Sequence, residues 1–316
     1  MKIALIHDAK FPVLQYGGTE RVIWWLAKGL FELDHQVTLV CAPGSECPFA
    51  EVVPWDFSHS FNPSLVKADL FHYFHTPEFR PSVPYLVTIE GNAKPQERFW
   101  ANTVFVSQNH AERHGAKHFV YNGLDPADYR YESSKNGRLL FLAKASWKVK
   151  NVRGASYIAR KAGRELDIVG GSRWWLPKWD GVHWRGMLGG EVKARYLANA
   201  SALIFPVLWH EPFGIAVIEA LVSGTPVLAS PFGSLPELVV PDVGVICHSD
   251  AEFIKATDRL EEFSSDRCRE WALEKFHYSV MSEKYLGYYK QILDGENLHA
   301  NDLINNHPVP IECSLN

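Results

Sequence analysis

The stretch from Phe205 to Leu221 reads FPVLWHEPFGIAVIEAL and carries two glutamates, Glu211 and Glu219, with seven residues between them. Glu211 stands just before a helix expected to start near Gly214. The loop Pro212-Phe213-Gly214 would bring free backbone N–H groups toward the ends of neighbouring strands. Such amides, together with the positive end of a helix, suit a phosphate. A plainer reading makes Glu211 a capping carboxylate in the first turn and Glu219 a surface residue. Against that, Glu219 is flanked by Ala216, Val217 and Ile218 before it and by Ala220, Leu221 and Val222 after it. A carboxylate in such company is expected to be semi-buried with a partner, which marks a candidate functional group.

A second constellation is the loop Ala143-Lys144-Ala145-Ser146-Trp147-Lys148-Val149-Lys150-Asn151-Val152-Arg153. Its four cations follow one strand end. They could hold a diphosphate by charge, although a solvated basic loop would look the same. A third is Tyr16-Gly17-Gly18-Thr19-Glu20. Paired glycines between a strand and a helix let the backbone approach a ligand, but a tight turn is the plain explanation. The pattern is neither GxGxxG nor a P-loop.

His72, His75, Glu78 and Glu90 all follow strand ends in the first half. They suit hydroxyl binding or proton transfer, while each histidine taken singly reads as an ordinary loop residue. A metal reading of His72, His75 and Glu78 is not compelling. His110-Ala-Glu-Arg-His114 is not the His-Glu-x-x-His pattern, and no metal is expected there. Arg173-Trp-Trp-Leu-Pro-Lys-Trp179 could stack on a base or a sugar ring. A loop folded onto its own domain is the favoured reading of that segment.

Composition narrows the classes. The chain has 316 residues, 47% hydrophobic and 22% charged, which are ordinary globular values and a prior for two domains. Its net charge of −4 is the wrong balance for a nucleic-acid binder. Five scattered cysteines read as reduced cytosolic thiols. The longest apolar run, Ala202 to Trp209, is far short of the about 20 residues of a spanning helix. No leader is visible at the start. The expected location is the cytoplasm, with peripheral attachment at the inner face of a membrane left open.

The elements that must position these groups alternate between strand and helix. Lys2 to His7, Gln36 to Cys41, Ala68 to Phe74, Tyr85 to Ile89, Thr103 to Ser107 and Lys117 to Tyr121 are expected strands. Helices are expected from Glu20 to about Leu33, from Pro63 to Lys67 and from Gln108 to His114. The polar stretch 127–137 reads as a linker. A second series follows, with strands Arg138 to Leu142, Glu165 to Val169, Ala202 to Phe205, Pro226 to Ala229 and Val243 to Cys247. Its helices are Val152 to Ala162, Gly190 to Ala200, Gly214 to Ser223, Ser249 to Phe263 and Arg267 to Phe276. Val280 to Leu293 is a last helix with Tyr285, Tyr288 and Tyr289 on one side, and the tail after Gly295 is expected to be irregular. This is an α/β pattern of two doubly wound parallel sheets, whose ligand sites lie at the C-terminal strand ends.

Taken together, the motifs resemble the retaining nucleotide-sugar glycosyltransferases of family four, with the GT-B fold. Tyr16-Gly-Gly-Thr-Glu-Arg-Val22 resembles the N-terminal glycine loop of that family, and Tyr121-Asn-Gly-Leu-Asp125 its NG(I/V)D segment. Glu211 through Glu219 resembles its E-x7-E signature, continued by Ser223-Gly-Thr-Pro-Val227 and Gly233-Ser-Leu-Pro-Glu237.

The resemblance implies GT-B architecture, with two Rossmann-like domains facing across a cleft. Residues 1–130, plus the returning helix and tail 278–316, would form the acceptor side. Residues 137–277 would form the donor domain. Glu219 would hold the donor ribose and Glu211 the donor sugar. The amides of Phe213, Gly214 and Ile215 would sit by the sugar and the distal phosphate, and Gly17 and Gly18 would close around the diphosphate. Lys144 stands where the family has Arg, and either Lys148 or Lys150 would be the family Lys, with Lys148 preferred.

Glu90 stands where many members have a histidine, and it would meet a sugar or acceptor hydroxyl or Lys94. Glu211, Lys144 and Glu90 are thus the implied catalytic groups. The implied donor is a UDP- or GDP-sugar and the implied acceptor a saccharide or lipid-linked glycan, with no separate cofactor, no metal and no nucleic acid. Alternatives are a nucleotide-sugar 2-epimerase of the same fold and a non-catalytic sugar-nucleotide binding protein.

Overall fold

The computed structural model describes residues 1–13, 17–171, 179–305 and 313–315. The aromatic–basic segment from Arg173 lies outside the described residues except for Trp179. Two compact units emerge. The first comprises Met1–Val13, Gly17–Leu124 and the chain from His277 through the Ile304 region; the second comprises Asp125–Phe276 and the last described residues, 313–315.

In the first unit the chain runs β1 (Lys2–Ile6), α1 (Gly18–Glu32), β2 (Gln36–Cys41), β3 (Glu51–Pro54), β4 (Leu70–Tyr73), β5 (Tyr85–Ile89), β6 (Arg98–Phe99), β7 (Thr103–Phe105) and α2 (Gln108–Arg113). The sheet order is β3-β2-β1-β4-β5-β7, and all of its pairings are parallel. These strands are apolar at nearly every position because helices or loops cover both faces of such a sheet.

In the second unit the order is β8 (Leu139–Leu142), α3 (Val152–Lys161), β9 (Leu166–Val169), β10 (Val182–Gly186), α4 (Gly190–Asn199), β11 (Ala202–Phe205), α5 (Ile215–Val222), β12 (Val227–Ala229), α6 (Leu235–Leu238), β13 (Gly244–Ile246), α7 (Asp250–Ala256) and α8 (Ser265–Phe276). The parallel sheet runs β10-β9-β8-β11-β12-β13. Its core joins Leu139, Phe141, Ile168, Ile204 and Leu228 to Val152, Ile158 and Phe253 of the covering helices. The molecule is therefore α/β, with two Rossmann-like halves.

The final helix, α9 (Tyr278–Leu293), belongs to the first unit and packs on α1 and β5. Its tyrosine side is used for polar anchoring as well as packing. Tyr289 Oη and Thr88 Oγ1 bond the two ring nitrogens of His72, at 2.7 and 2.8 Å, and Tyr285 Oη lies 3.0 Å from Thr88 Oγ1. Burial pushes the His72 imidazole down to about 3, so it sits neutral in the core.

Several expectations need correction. Lys117 to Tyr121 is not a strand; it makes a single bridge, Phe119 to Phe105. β3 and β10 are strands that periodicity does not announce. β10 is half-exposed along its length, as an edge strand can be. The expected helix Ser249 to Phe263 is split into α7 and a 3-10 turn, Thr257–Glu262. The tail is not wholly irregular, because Leu303–Ile304 forms β14, antiparallel to β6. The polar stretch after Asp125 clusters with the second unit. Within it, Lys135 Nζ donates to the Ala198 carbonyl at 2.7 Å and to Thr225 Oγ1 at 3.1 Å.

Candidate functional site

The second unit gathers its chemistry at the C-terminal ends of β8 and β11. After β8 the chain passes Lys144 and makes a 3-10 turn, Lys148–Lys150. Asn151 follows in the left-handed region (φ 56) and caps α3 by accepting from the Gly154 N–H at 3.0 Å. Its amide also donates to the Pro206 carbonyl at 3.0 Å, and the Leu208 N–H donates to the Val149 carbonyl at 2.7 Å. These bonds tie the basic turn to the loop after β11. The short asparagine side chain tolerates the positive φ that the junction requires.

That tether puts the buried Lys150 Nζ 2.6 Å from Glu211 Oε2. Trp209 Nε1–H donates to the same oxygen at 2.6 Å. The Lys150 ammonium also lies 4.6 Å from the centre of the Trp209 ring and 5.5 Å from that of Phe205, which adds cation–π attraction. Among the described residues, every side-chain hydrogen bond of Glu211 falls on Oε2. Its backbone is fixed as well. Gly233 (φ 73) bridges it so closely that a Cβ there would meet the Glu211 carbonyl oxygen at 2.2 Å. Glu211 is therefore no helix cap. Gly214 (φ 98) is the N-cap residue of α5 and is buried beside Phe213.

Glu219, on α5, is 2% exposed. Lys193 Nζ on α4 and Tyr129 Oη both donate to its Oε1, at 2.7 and 2.6 Å. The apolar neighbours of Glu219 called for a partner, and Lys193 and Tyr129 are partners among the described residues. A buried carboxylate is tolerable only when paired and hydrogen-bonded, and both glutamates meet that condition in the same way, with one lysine and one aromatic donor on a single oxygen.

Lys144 is half-buried and sits 5.2 Å from the centre of the Trp147 ring. Lys148 is exposed. Of the two candidate lysines the structure thus brings Lys150, rather than the preferred Lys148, to Glu211. Three residues of the cluster escaped sequence reading. Tyr129 fell in the presumed linker, and Trp209 fell in the motif but was not singled out. Lys193 stood on the buried stripe of α4 with Ala194, Leu197 and Ala198. A lysine in register with an apolar stripe was the available signal.

The first unit holds the other predicted groups. Gly17 is buried and its carbonyl accepts from Arg21 Nε at 3.0 Å, while Gly18 opens α1. Glu90 follows β5. Its expected contact was a sugar hydroxyl or Lys94; its partner within the chain is Asn122, whose Nδ2 donates to Oε2 at 2.8 Å. Among the described residues, the buried Glu90 Oε1 has no hydrogen-bond partner. Burial, reinforced by the Glu20 charge and opposed by the Asn122 bond, pushes the Glu90 carboxyl up to about 7.

The remaining histidines separate into core and surface. His110 and His114 are buried against Phe105, with His114 Nδ1 2.7 Å from the His110 carbonyl oxygen. His72 lies in the core, whereas His75 and Glu78 are exposed. Among the described residues no group of three His, Cys, Asp or Glu is placed to hold a metal, and no helix is long and apolar enough to cross a membrane.

Residues 136–262, the larger part of the second unit, match the family model described as Glycosyl transferases group 1. The chain is 44% identical over 63 residues to the MMP alpha-(1->4)-mannosyltransferase of Mycolicibacterium hassiacum, covering 20% of this chain and 15% of that protein. It is 31% identical over 128 residues to the alpha-maltose-1-phosphate synthase of Mycolicibacterium smegmatis, covering 35% of this chain and 33% of that one. The chain thus spans a third or less of the length of these curated relatives.

Among solved structures it is similar to AviGT4, a glycosyltransferase involved in avilamycin A biosynthesis. That likeness has 26% identity and a TM-score of 0.79, over 93% of this chain and 98% of that one. The fold is thus that of the GT-B glycosyltransferases, and part of its second half matches the group 1 glycosyl transferase model.

Proposed function

We propose that the protein is a retaining glycosyltransferase of family four that moves a sugar from a UDP- or GDP-sugar to a saccharide or lipid-linked glycan. The observation that carries this reading is the paired-glutamate cluster. Glu211 and Glu219 are each held through one oxygen by a lysine and an aromatic donor, beside the helix start at Gly214.

In this reading Glu219 binds the ribose hydroxyls. Glu211 presents Oε1 to the hydroxyls of the donor sugar while Lys150 and Trp209 hold Oε2. As the anomeric C–O bond breaks, negative charge grows on the departing nucleoside diphosphate. Lys144, Lys150, the Phe213, Gly214 and Ile215 amides and the positive end of α5 stabilise that charge where it develops. Lys148, on the exposed side of the same turn, adds field rather than contact. Gly17 and Gly18 allow the backbone to approach the diphosphate closely. The leaving phosphate takes the proton of the acceptor hydroxyl on the face it departs from, which retains the anomeric configuration. Fixed cations of the protein do the work of a metal ion, so transfer persists in chelator. Glu90, whose carboxyl is raised to about 7, offers the sugar a hydrogen bond in its protonated form, which does not repel the diphosphate. The protein works in the cytoplasm, at the inner face of the membrane when its acceptor is lipid-linked.

The test is incubation of the full chain with a panel of UDP-, GDP- and ADP-sugars and candidate acceptors in EDTA, with the products read by NMR. Transfer with an α-linked product from an α-linked donor is expected. An inverted linkage, or epimerised nucleotide sugar without transfer, would overturn the assignment.

A further inference from the structure

Residues 313–315 belong to the second unit, although the chain from His277 through Asn305 lies in the first. Cys313 and Leu315 are half-buried and Ser314 between them is exposed, so alternate residues face the unit. Leu315 packs on the core that joins β8, β9 and β11 to α3. The Cys313 N–H donates to the Leu208 carbonyl at 2.7 Å.

Leu208 is the residue that couples the two arms of the paired-glutamate cluster. Its own N–H donates to the Val149 carbonyl at 2.7 Å. Val149 is next to Lys150, and Leu208 is next to Trp209. Lys150 and Trp209 are the two donors on Glu211 Oε2, each at 2.6 Å.

The loop after β11 is pinned residue by residue. The Pro206 carbonyl accepts from Asn151 Nδ2 at 3.0 Å, and the Val207 carbonyl accepts from Ser230 Oγ at 2.8 Å. The Leu208 carbonyl accepts from Cys313. The first two donors come from loops of the sheet itself, after β8 and after β12; the third comes from the tail. Pro206 and Val207 are buried, whereas Leu208 is half-buried. Water therefore competes for the Leu208 carbonyl once the tail lets go, and the net worth of the bond is that of one exchanged with solvent. A tail docked for packing alone would need only Leu315. The Cys313 bond lands on the residue whose displacement moves Lys150 and Trp209 relative to each other. Binding groups must be held to a fraction of an ångström by the residues behind them.

We infer that residues 313–315 belong to the nucleotide site: the Cys313 N–H, anchored by Leu315, is a positioning group that holds Leu208, and through it Lys150 and Trp209, in register on Glu211. The consequence for nucleotide binding rests on the function proposed above; the pinning of Leu208 does not.

The test pairs hydrogen exchange at the Leu208 amide, read by NMR, with calorimetric titration of UDP, GDP and ADP. Both are run on the full chain and on Cys313→Pro, Leu315→Ala and the conservative Cys313→Ala. Proline removes the N–H and alanine keeps it. Leu208 exchange should rise about fivefold in Cys313→Pro and Leu315→Ala, and the affinity of the preferred diphosphate should fall by about the same factor, the scale of one lost hydrogen bond. Cys313→Ala should stay within about twofold of the parent in both readouts. Leu208 exchange unmoved by Cys313→Pro, or exchange that rises equally at every amide of the second unit, would overturn the pinning. Faster Leu208 exchange with unchanged nucleotide affinity would overturn the positioning role. A parent chain that binds none of the three diphosphates would defeat the transferase reading, and Leu208 exchange would then decide the pinning by itself.

Discussion

Glu90, just after β5 in the first unit, and Glu219, within α5 in the second, are both glutamates removed from solvent, and their environments treat them oppositely. Glu219 receives an ammonium and a phenol on one oxygen. Among the described residues Glu90 receives one amide, with Oε1 unbonded, and burial raises it to about 7. The same side chain is thus a fixed anion in one unit and a group poised to hold its proton in the other. Partners rather than residue type decide which, because desolvation penalises the charged form unless an opposite charge or donor compensates. In the second unit Glu211 and Glu219 each have a lysine partner, as the proposed diphosphate site requires.

The sharpest way to break this contrast is to give Glu219 the situation of Glu90. Lys193→Ala removes its cation and strands a buried charge, which should cost roughly 3–5 kcal/mol of folding stability in denaturant titration at neutral pH. A loss under about 1 kcal/mol would mean that the pair is not what holds Glu219 in place.

The next effect comes from Glu90. Its folded-state value lies above the ordinary 4.5, so between about pH 4.5 and 7 the native chain keeps a proton that the unfolded chain has lost. The stabilisation is fully present below that window and is lost as pH rises through 7. It amounts to roughly 3 kcal/mol. Glu90→Gln cannot ionise, so the difference in stability between variant and parent should move in favour of the variant across that window. A difference that does not change with pH would contradict the assignment.

The smallest effect tests the aromatic donors. Trp209→Phe keeps an aromatic ring beside Lys150 but removes the Nε1–H, and should cost about 1.5–3 kcal/mol, the worth of one hydrogen bond to a charged group. Loss as large as that of Lys193→Ala would place tryptophan and lysine on an equal footing, against the hierarchy drawn here.

How much of this was legible in the sequence depended on locality. The strand–loop–helix units could be read because apolar runs and glycine punctuation are local. Glu219 could be read as a buried, partnered carboxylate because its neighbours on both sides are apolar. Its partners could not. Tyr129 and Lys193 reach it from 90 and 26 residues away, and no periodicity encodes such pairings. The choice of Lys150 over Lys148 was hidden for a related reason. A 3-10 turn ending in a left-handed Asn151 decides which lysine points inward, whereas motif spacing left both open because Val149 holds the strict register. Glu90 was flagged as out of place for a diphosphate site, yet its resolution lay in Asn122, 32 residues on. The missed β3, β10 and β14 are short or half-exposed strands that lack the continuous apolar run of a buried one.

The most direct measurement is calorimetric titration of the full chain with UDP, GDP and ADP, beside Glu219→Ala and Lys150→Ala. One diphosphate should bind in preference to the other two. Its affinity should drop at least about tenfold in either variant, the scale of a lost charge-assisted contact. Binding indifferent to both substitutions, or no binding of any of the three, would contradict the claim that this cluster holds a nucleoside diphosphate.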